Sequence, residues 1–82
     1  MNKIRRTRLR DVIPHLNALH DVLADILDEE EEKHANRPES LIDSPAGDAA
    51  QEAIDALLDF TSSIEEAIES INSIAGEEPK HD

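Results

Sequence analysis

A chain of 82 residues is one domain at most, and a single core of that size rarely supplies more than ~3–5 kcal/mol without disulfides, metal or oligomerisation. There is no cysteine, so disulfides are excluded and self-association is the expected support. A formal charge of -12 argues against binding a nucleic-acid backbone or an anionic bilayer with the whole surface, and one aromatic residue, Phe60, cannot build a stacking platform or an aromatic cage.

Basic proteins are the natural counterparts of such a surface, while no direct nucleic-acid binding and no membrane partner are expected. No apolar run is long enough for a transmembrane helix or a signal-peptide core, and the start from Met1 to Arg6 leads straight into charged sequence. A cytoplasmic location is expected, in keeping with the absence of thiols.

Residues 1–10 hold Lys3, Arg5, Arg6, Arg8 and Arg10 and no acid. Residues 11–82 then carry twenty acids against three basic residues, a balance of -17 by subtraction from the total. So uneven a split gives the basic end a specific partner, inside the chain or outside it. From there Leu9, Val12, Leu16, Leu19, Leu23 and Ile26 recur at steps of three and four, broadened by Ile13, Val22 and Leu27. That is the seam of a packing helix over 11–34. Pro14 interrupts it, because proline removes a backbone donor and crowds the preceding turn. Either Asp11 caps a helix and 1–10 is a basic arm, or the helix begins near Lys3 and kinks between Arg10 and Pro14. The kinked form is favoured, because it matches the second helix in length.

The acidic run from Asp28 to Glu32 finishes this helix, and 35–43 is a linker whose Leu41 and Ile42 can plug the end of a helix pair. Ser44 and Pro45 read as N-cap and first helical residue, with Gly47 weakening the first turn slightly. The second helix, 44–75, carries Ala50, Ile54, Leu57, Ile64, Ile68, Ile71 and Ala75, with Thr61 in the one missing place. Gly76 reads as its C-cap, with Pro79 beyond and an acidic, frayed tail over 76–82.

The expected fold is therefore all-α: one domain over 1–82, a coiled-coil-like, two-helix antiparallel hairpin. Folding back would lay the arginines beside Glu65, Glu66, Glu69, Glu77 and Glu78 and relieve the wrong-signed charge at the ends of each helix. A lone hairpin leaves Ala53, Leu58, Phe60, Ala67 and Ile74 without cover, so two copies are expected to close into a homodimeric four-helix bundle, with larger rings also open. The predicted interface comprises Leu9, Val12, Leu16, Leu19, Leu23 and Ile26 with Ile54, Leu57, Phe60, Ile64, Ile68 and Ile71.

Chemistry is thinly represented. Glu31 and His34 have the Glu-x-x-His spacing of helical metal sites, but a di-iron site needs further inward carboxylates and the second helix has no histidine, so a solvated charge run is the plainer reading. His15 and His20 are five residues apart and poor joint ligands. Buried against its twin in a dimer, either would weaken association below about pH 6.5. Ser62 and Ser63 lack a base, no glycine-rich loop exists, and neither enzymatic activity nor a cofactor is expected. Asp48, Glu52, Asp55, Asp59 and Glu66 form an acidic stripe that could imitate a nucleic-acid backbone and occupy a basic groove on another protein. Arg5, Arg6, Arg8 and Arg10 could gather in an oligomer around a small anion such as a nucleotide signal. Pairing with acids of the second helix is the plainer role for them.

Pro38-Glu39-Ser40-Leu41, then Ser44 and Gly47, then Gln51 to Leu57 and Ser63 to Ile68, resemble small helical-hairpin proteins encoded by phages and prophages. The similarity covers most of the chain, and its better marker is the Pro-Glu-Ser-Leu linker followed by Ser and Gly. Pro14 departs from that group's uninterrupted first helix. The resemblance implies no activity; it implies a phage accessory role in binding a host or phage protein, including interference with host defence.

Overall fold

The computed structural model of the chain describes residues 1–76, and the tail with Glu77, Glu78 and Pro79 lies outside them. Every regular element among the described residues is helical: α1 (Lys3–Arg10), α2 (Ile13–Ala35), α3 (Glu39–Ile42) and α4 (Pro45–Ala75). No helix is long and apolar enough to cross a membrane.

Local chemistry sets each boundary. Asn2 opens α1, its side-chain oxygen accepting the Arg5 amide at 2.8 Å. The run is interrupted at Asp11 and Val12, yet both residues keep right-handed backbone angles. The Asp11 amide still reaches the Thr7 carbonyl at 3.0 Å, whereas Val12 bonds one residue short, to Leu9, also at 3.0 Å. Pro14, which cannot donate to the Arg10 carbonyl, thus sits in the first turn of α2 behind a tightened turn. At its far end α2 has Lys33 and His34 in the last turn, where positive charge suits the dipole.

The linker contains a helical turn of its own. Pro38 is extended, with ψ 144°, and α3 follows directly. Its Leu41 and Ile42 keep 47% and 37% of their surface exposed, while the Leu41 carbonyl accepts the Ser44 hydroxyl at 2.5 Å. Ser44 also accepts the Gly47 amide at 3.2 Å, so one hydroxyl ties α3 to the first turn of α4. Gly47 is buried there, and a Cβ on it would run into the carbonyl oxygens of Ile42 and Leu41. At the other end Gly76 stays right-handed, with φ -69°, and its amide bonds the Asn72 carbonyl at 3.0 Å. The left-handed cap that glycine permits is not formed.

α4 is the element against which α1, α2 and α3 all pack. Its covered line is Gly47, Ala50, Ile54, Leu57, Thr61 and Ile64, continuing at the same steps to Ala75, with Ala53, Ala56 and Ala67 half-buried beside it. Thr61 occupies its place by donating its hydroxyl to the Leu58 carbonyl at 2.9 Å. On α2 the covered line is Ile13, Leu16, His20, Leu23, Leu27, Glu30 and His34.

The molecule is a rod. Its extents are 63 × 15 × 15 Å and its radius of gyration is 18.4 Å, against roughly 12 Å for a compact chain of this length. Its accessible surface of 6167 Å² exceeds the roughly 4,900 Å² of a compact monomer of this mass. Among the described residues no large side chain is fully buried.

Candidate interaction surface

The interface residues predicted from sequence divide between two environments. Ile54 is buried, and Leu9, Leu16, Leu23, Leu57, Ile64, Ile68 and Ile71 are half-buried within the chain. Val12, Leu19, Ile26 and Phe60 point outward, Leu19 and Phe60 with more than half of their surface exposed. The covered line of α2 passes through Ile13, His20 and Leu27, so Val12, Leu19 and Ile26, each one residue earlier, turn outward, as Phe60 does one residue before Thr61 on α4.

Two of them, Ile26 and Phe60, edge an open groove of about 480 Å³. Ile26, Glu30 and Arg37 form one side; Ala49, Ala53, Ala56 and Phe60 are on the other. Alanine has no side chain beyond Cβ, so the surface of α4 is hollow here and Phe60 stands up at its end. The Nε of Arg37 is shielded from water and has no partner there.

A second hollow, of about 370 Å³, lies at the beginning of the chain and is lined by Met1, Arg5, Arg8, Leu9 and Val12. It takes two of the four candidate anion-binding arginines. Arg6 lies on another side of α1, buried, with Nη1 donating to the Met1 carbonyl at 3.1 Å. Arg10 donates to the Thr7 hydroxyl at 3.2 Å. Helical spacing explains the division, since positions 5 and 8 share one face and positions 6 and 10 share another.

Glu65, one of the acids expected beside the arginines, meets His20 instead, with Nε2 and Oε1 3.0 Å apart. His15 is exposed. Glu31 is exposed and His34 half-buried, and among the described residues no three metal-ligating side chains converge. Asp48, Glu52, Asp55, Asp59 and Glu66 are all exposed, with Gln51 donating to Asp55 at 3.0 Å. No lysine or arginine occurs anywhere in α4.

The arrangement sets an apolar hollow and an exposed acidic stripe on the same long helix. Comparisons with protein-family models, with curated proteins and with solved structures give no match to this chain.

Proposed function

We propose that the protein is a non-enzymatic interaction module: an antiparallel helical hairpin that pairs with a second copy into a four-helix bundle and binds a further protein with its acidic side. The observation that carries this reading is the unmet apolar surface. Leu19, Val22 and Phe60 are 55%, 57% and 54% exposed, and among the described residues no large side chain is fully buried. Fully burying such a side chain is worth ~1.5–3 kcal/mol and about half of that remains to be gained at each, so several of them together match the margin available to a lone domain of this size. His20 against Glu65, and Ile26 beside Ala53, support opposite directions for α2 and α4. The resemblance to phage and prophage hairpin proteins makes a host or phage protein the further partner, one acting in host defence included.

Sedimentation at micromolar concentration tests the pairing. A dimer is expected, with a melting temperature that rises with chain concentration. A cooperative, well-folded monomer across the range would remove the proposal.

The acidic stripe favours a second reading, mimicry of a nucleic-acid backbone towards a basic protein. Seven acids and no basic residue in α4 are its support. Capture of a basic nucleic-acid-binding protein should then collapse as salt is raised; capture that ignores salt is the contrary result.

A further inference from the structure

α4 carries two seams. Beside the covered one runs Ala46, Ala49, Ala53, Ala56 and Phe60, continuing at the same steps through Ser63 to Ile74. Each of its members precedes a member of the covered seam by one residue, and one residue on an α-helix is a turn of about 100°. In a four-helix bundle each helix meets two neighbours about a right angle apart. One seam of α4 faces α2, so the other is turned towards a neighbour that the single chain does not provide.

α2 repeats the relation. One residue before its covered line run Val12, His15, Leu19, Val22 and Ile26, all exposed. When two helices lie in opposite directions, a backward step on each turns towards the same side of the pair. Ile26 accordingly lines the same groove as Ala53 and Phe60. The two spare stripes form one broad apolar face instead of two narrow ones on opposite sides.

Charge selects what covers that face. None of the seven acids of α4 lies on its second seam. Towards the beginning of the chain the α2 stripe continues through Arg8 and Arg5. In a chain of -12 the α4 half of this face brings no carboxylate of its own to a like-charged molecule, and Glu30 of α2, which lines the groove, has Arg37 beside it there. A basic partner would be drawn to the opposite, acidic side. Size permits it: one whole side of the rod, 63 by 15 Å, spans at most roughly 900 Å², against the ~800 Å² that each partner of a standard stable interface buries.

We infer that this face, centred on Leu19 and Ile26 of α2 and on Ala53, Ala56 and Phe60 of α4, is where a second copy of the chain docks. The inference rests on the self-association proposed above and adds its location. The partner's larger side chains fill the alanine hollow, and Phe60 enters the partner.

Leu19→Glu and Phe60→Glu place a carboxylate in the face, and Leu58→Glu places one on the opposite flank of α4. All three positions are well exposed in the single chain, so none removes an inner contact. The first two should weaken the dimer at least about 100-fold, because a buried unpaired charge is costly. Leu58→Glu should change it less than about threefold. Thiols introduced singly at Ala56 and Ser62 give a second reading that adds no charge: labelling of Ala56→Cys should slow as chain concentration rises, and labelling of Ser62→Cys should not. Leu19→Glu and Phe60→Glu dimers as tight as the unsubstituted one, or protection at Ser62 in place of Ala56, would overturn the location while leaving self-association in force. An unsubstituted chain that stays monomeric would overturn both.

Discussion

α2 and α4 carry the same alternation of three and four, yet they use it differently. α4 fills its covered line with Ala50, Ile54, Leu57, Thr61 and Ile64, and buries Ala50, Ile54 and Thr61 among these. α2 places His20, Glu30 and His34 on its covered line and buries only Leu27, while Leu19, Val22 and Ile26 face outward. One helix keeps its covered line almost wholly apolar, and the other gives part of that line to polar side chains. Periodicity alone therefore does not reveal how many neighbours a helix serves.

The largest effect that tests this contrast is expected at Ile54, which is 6% exposed. Ile54→Ala should lower stability by ~2–5 kcal/mol in chemical denaturation, whereas the same truncation at exposed Val22 should cost the isolated chain less than about 0.5 kcal/mol. Equal losses at the two sites would erase the distinction between the helices.

Gly47→Ala sets two effects against each other. Helix propensity alone would favour alanine by about 1 kcal/mol. Against that, the new Cβ meets the backbone of Ile42 and Leu41, which cannot swing aside as a flexible side chain would. A net loss of ~1–3 kcal/mol is expected; a gain in melting temperature would mean that α3 is readily displaced from α4.

Ser44→Ala removes the acceptor for the Gly47 amide and the donor to Leu41, at about 1 kcal/mol. Proton exchange at the Gly47 amide should quicken with it. At His20, leucine would make the covered line of α2 more like that of α4. The side-chain contact surrendered is worth little, because the Glu65 side chain is 64% exposed. His20→Leu should thus raise stability slightly, by up to about 1 kcal/mol. A clear loss would mean that the Glu65 contact holds the two helices in register.

The two ends of α4 differ in how far they could be read. Ser44 and Pro45 announce its start because capping is decided within one turn by the residues themselves. Gly76 allows a left-handed cap but does not compel one, and it stays right-handed. Gly47 read only as a weak spot in the first turn. Its role depends on α3, a four-residue turn inside what had looked like linker, and nothing in the spacing of Pro38, Glu39 and Ser40 signals that contact. The arginine cluster was legible as charge but not as geometry, since its division into Arg5 with Arg8 and Arg6 with Arg10 follows from a helix that Pro14 left open to two starts.

The amino-acid order by itself determined that the chain is helical, where its last long helix begins and ends, and that apolar residues outnumber the places one neighbour can cover. All of these follow from periods, caps and side-chain area within a few turns. Only the tertiary structure decided which of two adjacent apolar lines on α2 faces α4. A stripe wider than 100° fits either orientation, and the choice falls to distant contacts such as His20 with Glu65 and Leu27 with the body of the rod.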